Sequence, residues 1–239
     1  MIRRIKGLVK GLRRQMALRN GDTYVKHLRS LGIVIGDGYF IPEPKRIEID
    51  TTRPSLVTIG RNVRLNIGFT LLTHDFGCGV FRNLYSEFIP SSGKVTIGNN
   101  VYFARNCTVM KGVTIGDNCI IGYGSIVSKS IPSNSVVSGN PARVICSIEE
   151  YYELRKVLSI KEAVVYARSI KERFGRMPVA EDFWEEFPLF VDGRTMKRYP
   201  TLPYRRQLAG AYEEWVKNHQ SPFEGIEDFL KYAKISANE

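Results

Sequence analysis

Histidine is scarce in this chain and cysteine is unpaired. The three histidines, His27, His74 and His219, lie far apart in 239 residues, which leaves no cluster of imidazoles for a multi-histidine metal centre. The four cysteines, Cys78, Cys107, Cys119 and Cys146, make no C-x-x-C pair, which fits a reducing compartment. No apolar run approaches transmembrane length and no signal-peptide core is present, so the expected location is the cytoplasm. Acidic residues are missing from one end only. Residues 1–30 carry nine Lys/Arg against one Asp, residues 31–145 eleven against seven, and residues 146–239 fifteen against sixteen, so the net charge of +11 belongs mostly to the N-terminal arm. That charge would permit a polyanionic partner, but no nucleic-acid motif accompanies it, and nucleic acid is not an expected partner.

What is present is a period of six. From Ile97, every sixth residue is apolar: Phe103, Val109, Ile115, Ile121, Val127. The next residue is small in most repeats (Gly98, Ala104, Gly116, Gly122, Ser128), and small or β-branched residues recur at Val101, Cys107, Val113, Cys119, Ser125 and Ile131. No helix repeats every six residues and a strand alternates every two. A longer fixed period marks a solenoid, in which each short strand and turn buries its neighbour's face. The every-sixth residues are the expected core, and the glycines after them fit turns that need positive φ. Counting back from Leu71, the rule holds at Leu65 and Ile59, misses at Arg53, and resumes at Ile47, Ile41 and Ile35. Between Leu71 and Ile97 the spacing is not a multiple of six. Thr73–Gly93 therefore leaves the coil, and its aromatics, Phe76, Phe81, Tyr85 and Phe88, predict an ordered excursion.

These hexads, the Thr-His-Asp before the excursion, the run from Val95 to Ile145 and its closing Asn140-Pro141-Ala142-Arg143 together resemble the hexapeptide-repeat acyltransferases. The likeness is greatest to O-acetyltransferases of the maltose, galactoside and nodulation-factor type and to polysaccharide acetyltransferases. It implies a mainly β fold, a left-handed parallel β-helix at residues 33–146 with excursion loop 73–93, and a homotrimer. The handedness comes from the resemblance alone, because ordinary parallel crossovers are right-handed.

The flanks are helical. Residues 2–18 predict a helix with Ile5, Leu8, Val9, Leu12 and Met16 on one face, followed by a short helix over Tyr24–Leu31 capped by Asp22 or Thr23. Two readings of this arm, residues 1–32, stay open. It can cap the open end of the solenoid, or its basic amphipathic face can make peripheral contact with the inner face of a membrane. Residues 147–239 read as an α-helical extension. Ser147 with Glu150 and Ser159 with Glu162 are capping-box patterns, predicting one helix to Leu158 and another to Phe174. A helix over Gln207–His219 and a last one from Ser221 follow, and His27 and His219 are expected at the solvated surface.

Of the histidines, His74 alone follows a coil strand and precedes the excursion. The resemblance places the catalytic histidine there, and an imidazole suits a base that takes a hydroxyl proton during acyl transfer. Asp75 is a candidate to orient it, although neighbours on a strand point opposite ways. The resemblance also implies acetyl-CoA as the acyl donor, held by Ala104, Arg105, Gly122, Tyr123, Ser128, Lys129 and Arg143, with the N–H near Arg105 a candidate oxyanion donor. Lys129 and Arg143 would meet phosphates. On the acceptor side stand Asn66, Arg82, Asn83 and Tyr85. No metal is expected. The reading is an acetyl-CoA-dependent O-acetyltransferase acting on a sugar or polysaccharide intermediate. The alternatives are a sugar N-acetyltransferase and a non-catalytic scaffold. A β-helix carbonic anhydrase would need three zinc-binding histidines on the coils, where only His74 lies.

Overall fold

The computed structural model describes residues 15–235. The arm helix expected over residues 2–18 therefore falls almost wholly outside the described residues. The chain divides into two compact units, Met1–Tyr151 and Tyr152–Glu239.

In the first unit the period of six becomes the sides of a triangle. One parallel sheet stacks Val34–Ile35, Val57–Ile59, Val95–Ile97 and Thr114–Ile115. A second stacks Arg64–Leu65, Val101–Phe103, Cys119–Ile121 and Ser135–Gly139, and the third Glu48–Ile49, Thr70–Leu71, Thr108–Val109 and Ile126–Val127. The chain visits the three faces in turn. Ile59, Ile97 and Ile115 pair in register on the first face, Leu65, Phe103 and Ile121 on the second, and Leu71, Val109 and Val127 on the third. All nine are buried in one core that also holds Cys107 and Cys119. Full burial of such side chains stabilises by roughly 1.5–3 kcal/mol each, which is the main return on ordering so many short strands. Ala142–Ser147 folds back antiparallel on Ser135–Gly139 and closes the last coil.

The glycines after the core residues act differently from the expectation. A Cβ on Gly98 would lie 2.7 Å from the Gly116 carbonyl carbon and 2.4 Å from Asp117 Oδ1, so glycine is required by the close approach of the next coil. Positive φ falls instead on asparagines at the same corner: Asn62, Asn100, Asn118 and Asn134 have φ of 55–60°, a region asparagine tolerates. Their carboxamides form a ladder, Asn100 Nδ2 donating to Asn118 Oδ1 and Asn118 Nδ2 to Asn134 Oδ1, both at 2.9 Å.

The hexad register also shifts in the first coil. Ile49, not Ile47, pairs with Leu71, because short 3₁₀ turns at Pro44–Arg46 and Pro54–Leu56 lengthen two corners. Helix α1, Gly21–Ser30, packs Tyr24, Val25 and Leu28 into the core. Its cap is Asn20, whose Oδ1 accepts Thr23 N–H at 2.9 Å. The excursion is ordered as expected and carries helix α2, Cys78–Tyr85.

Ser147 and Glu150 form the expected capping box, the Ser147 N–H donating to Glu150 Oε2 (2.8 Å) and the Glu150 N–H to Ser147 Oγ (3.1 Å). The helix it opens, α3, runs unbroken over Ile148–Phe174. The second capping signal is not used, since Ser159 Oγ donates back to Lys156 O at 3.1 Å, as serine does within a helix. In the second unit Ala163, Ala167 and Ile170 pack with Phe183, Phe187, Phe190 and Phe229. The helix expected over Gln207–His219 is two, Tyr204–Leu208 and Tyr212–Asn218, broken where Ala209 takes φ 45°. The last helix begins at Ile226 rather than near Ser221. His219 is not simply solvated. Its Nε2 lies 2.7 Å from Pro188 O and its ring stacks on Trp215 at 4.4 Å.

Candidate active site

His74 opens a two-residue strand, His74–Asp75, that pairs antiparallel with Ser91–Ser92 and so forms the neck of the excursion. Its Nδ1 lies 2.6 Å from Asp50 Oδ2, and the His74 side chain is 27% exposed while Asp50 is 5% exposed. Asp50 is saturated: Oδ1 accepts the Thr52 N–H (2.9 Å) and Oγ1 (2.7 Å), and Oδ2 accepts the Thr73 N–H (3.2 Å) and hydroxyl. Burial alone would raise its pKa. The bonds from Thr73, Thr52 and His74 outweigh burial and hold the carboxyl well below the usual carboxylate range. An ionised carboxylate only accepts, so Nδ1 carries a proton and donates it to Asp50. Every hydrogen bond to the ring among the described residues goes to Nδ1, and Nε2 has no partner among them.

Asp75 does not orient His74. Its Oδ2 accepts from the Lys111 ammonium and its Oδ1 accepts the Gly77 N–H at 3.0 Å. The reason is strand alternation, which turns Asp75 away from the side His74 occupies. Asp50, against His74, and Lys111, against Asp75, are contacts that the sequence reading did not anticipate. The available signal was the break in the hexads just after Ile49, which makes a corner one coil before His74.

The residues expected to hold acetyl-CoA divide between two corners of the coil. Ala104 and Arg105 precede the strand Thr108–Val109, and Gly122 and Tyr123 lie one coil on, tied by Ala104 N–H to Ile121 O (2.9 Å) and Gly124 N–H to Arg105 O (3.0 Å). Tyr123 is exposed and its hydroxyl accepts Asn106 Nδ2 at 2.8 Å. Asn66, expected on the acceptor side, stands at this corner too, its Nδ2 donating to Phe103 O at 2.8 Å. Ser128 and Lys129 follow the strand Ile126–Val127 and stand at the corner of His74 and Lys111. Arg143 is exposed on the closing strand, its Nη1 donating to Ala142 O at 2.9 Å. Within one chain, then, His74 and the Ala104–Tyr123 corner stand at opposite ends of the same face.

Arg82, Asn83 and Tyr85 are exposed on α2. Phe76 and Phe88 meet edge to face at 6.3 Å, yet both are more than half exposed, as are Val80, Leu84, Tyr85 and Ile89. A groove of about 1040 Å³ lies between α1 and the first coil, lined by Tyr24, His27, Arg46, Glu48, Asp50 and Thr52 among others. It reaches the two residues, Asp50 and Thr52, that stand behind the His74 ring. Among the described residues no group of three or more His, Cys, Asp or Glu is placed to hold a metal ion.

Residues 94–129 match the bacterial transferase hexapeptide (six repeats) family. Protein CapG of Staphylococcus aureus is 39% identical over 124 residues, a stretch that covers 52% of this chain and 71% of that protein. The chain belongs to the hexapeptide-repeat transferases. Galactoside O-acetyltransferase of Escherichia coli K12 is 45% identical over 94 residues, 39% of this chain and 45% of that enzyme, so the shared stretch is less than half of that relative's length. A galactoside acetyltransferase solved in complex with coenzyme A has 25% identity, covers 59% of this chain and 80% of its own, and superposes with a TM-score of 0.44. Membership implies the left-handed winding of this transferase family for the three-sided coil. In this hexapeptide-repeat transferase no helix among the described residues is long and apolar enough to cross a membrane.

Proposed function

We propose that this transferase is an acetyl-CoA-dependent O-acetyltransferase whose acceptor is a sugar or a polysaccharide intermediate, with His74 as general base. The observation that carries the reading is the Asp50–His74 pair, which fixes the imidazole through Nδ1 and leaves Nε2 without a partner among the described residues, at the neck of an ordered excursion. Acetyl-CoA is a substrate here, the acyl donor. Nε2 takes the acceptor hydroxyl proton as its oxygen bonds to the thioester carbonyl carbon. The tetrahedral intermediate then expels the thiolate, which leaves with the proton returned from the imidazolium. Asp50 holds the tautomer and stabilises the transient positive charge. No covalent enzyme intermediate is required.

The split of the donor residues between two corners supports a site shared between copies of the chain. His74 of one copy would face the Ala104, Arg105, Gly122 and Tyr123 corner of another, which a homotrimer of prisms allows. The N–H near Arg105 is then the candidate oxyanion donor, and Lys129 and Arg143 the phosphate contacts. Arg82, Asn83 and Tyr85 of α2, with Asn66 of the facing corner, are the candidate acceptor contacts on the Nε2 side of the ring. An amine acceptor would use the same base, so the test is a screen of hydroxyl and amino sugars by thiol release from acetyl-CoA, with product mapping. His74→Ala should lower kcat about 10²–10⁴-fold on the best acceptor. Wild-type turnover by that variant, or no transfer to any glycan, overturns the proposal.

A further inference from the structure

The hairpin that carries His74 is short. Its ladder pairs His74 with Ser92 and Asp75 with Ser91 and goes no further, and a lone ladder of this kind is marginal in water. At its base the Gly93 N–H donates to Thr73 O at 2.9 Å, and Thr73 in turn donates to Asp50. One rung out, a single side chain from the next coil crosses both strands. The Lys111 ammonium donates to Asp75 Oδ2 and to Ser91 Oγ. Asp75 Oδ1 accepts the Gly77 N–H, which fixes the entry to α2.

Lys111 itself stands on a firm corner. Met110 before it donates its N–H to Val127 O at 2.9 Å, and a Cβ on Gly93 would lie 2.6 Å from the Gly112 N, so hairpin and corner are in contact. Because side chains alternate along the strand, His74 faces Asp50 and Asp75 faces Lys111, and the neck is pinned from both sides. An ion pair with a half-exposed partner contributes little to global stability. Its effect here is on position, and a misplacement of about 1 Å at a reacting group can cost on the order of 10²-fold in rate.

We propose that Lys111 is a positioning residue for the transferase reaction, clamping the excursion neck so that His74 and α2 keep a fixed place beside the site. The proposal rests on His74 acting as the base, and its test separates the two. Lys111→Met, Lys111→Arg, Asp75→Asn and the Lys111→Met/Asp75→Asn pair are compared as full chains. The first readout is amide exchange, which needs no substrate. In Lys111→Met and in Asp75→Asn, exchange over residues 76–92 should quicken by about 10-fold or more while the strands Val95–Ile97 and Val101–Phe103 keep their protection.

The second readout is steady-state thiol release from acetyl-CoA with the best acceptor of the screen. In Lys111→Met, kcat should fall about 10–10²-fold with the acetyl-CoA KM within about 2-fold. Lys111→Arg should recover most of the loss, and the double variant should be within about 2-fold of the worse single one. Unchanged exchange and unchanged kcat in Lys111→Met overturn the clamp, as does a double variant whose losses multiply, which would mean Lys111 acts on a ligand directly. If Lys111→Met does not fold, Asp75→Asn breaks the same contact from the other side and decides the matter. Should no acceptor be turned over by the wild type, the reading of His74 fails, and the exchange arm still decides the clamp.

Discussion

Replacing Asp50 by asparagine removes one charge and almost no volume, and its effect follows from counting bonds. Asp50 accepts from two donors of Thr52 on one oxygen, and from two donors of Thr73 and from His74 Nδ1 on the other. Asparagine has one oxygen. With that oxygen towards His74, its amide N–H₂ meets the Thr52 N–H, donor against donor. With the amide towards His74, Nδ1 must give up its proton, the proton moves to Nε2, and the base is lost. Either way charge-assisted bonds worth about 1.5–3 kcal/mol each are weakened, or a donor is left unmet at about 1–3 kcal/mol. Asp50→Asn should therefore cost about 2–4 kcal/mol of stability and lower kcat by about 10²–10⁴-fold, comparable to loss of the imidazole itself.

The pH dependence has a fixed sign. The folded-state pKa of Asp50 lies below its unfolded value of about 3.9. Its stabilisation is therefore present above about pH 4 and lost as the pH falls through the folded value. In urea unfolding the gap between wild type and Asp50→Asn should narrow below about pH 4. Nitrogen-15 spectra of His74 report the tautomer directly, with Nδ1 protonated in the wild type. A variant that keeps kcat within about 3-fold of wild type, or a wild type with the proton on Nε2, would refute the assigned roles.

Alanine at Lys129 or Arg143 should raise the acetyl-CoA KM severalfold with little change in kcat, because phosphates are remote from the thioester. The preference for acetyl-CoA over acetyl-pantetheine should largely vanish, and its survival would remove both residues from the donor site. Gly98→Ala should destabilise by about 1–3 kcal/mol through overpacking against Gly116 and Asp117, seen as a lower urea midpoint. Sedimentation should give a trimer, and mixing inactive His74→Ala with an inactive variant at the Ala104–Tyr123 corner should restore activity in mixed assemblies. A fully active monomer, or no recovery on subunit exchange, argues for a site within one chain.

The coil was legible because its rule is arithmetic. Columns such as Ile97 over Ile115 follow from spacing, and the buried cysteines Cys107 and Cys119 sit where a small apolar side chain is needed. His74 was legible for a different reason, standing where the rule stops. Its partner was not, because Asp50 lies 24 residues earlier, at a corner where two turns have broken the count. The adjacent Asp75 drew attention by proximity along the chain, which in a strand is the wrong measure. Ser159 misled in the same local way: its capping pattern with Glu162 is genuine as a sequence, but the helix arriving from Ile148 already supplies the carbonyls those amides need.

The excursion is silent in the register of the coil. Arg61 and Asn99 contact each other across 38 residues where the next turn of the winding, Asn99 to Asp117, takes 18, so a detour of 20 residues leaves the columns aligned. Its two ends are already drawn together by the Gly93–Thr73 bond. Once the ends are fixed, doubling a loop costs only about 0.6 kcal/mol in closure entropy. The prism thus works as a chassis with a socket: residues 76–90 can be lengthened, shortened or exchanged without renegotiating the fold, while His74, Asp50 and Lys111 remain with the chassis. On the proposed function, acceptor choice and acyl-transfer chemistry could then change on separate evolutionary clocks, and grafted excursions would be a way to retarget the enzyme.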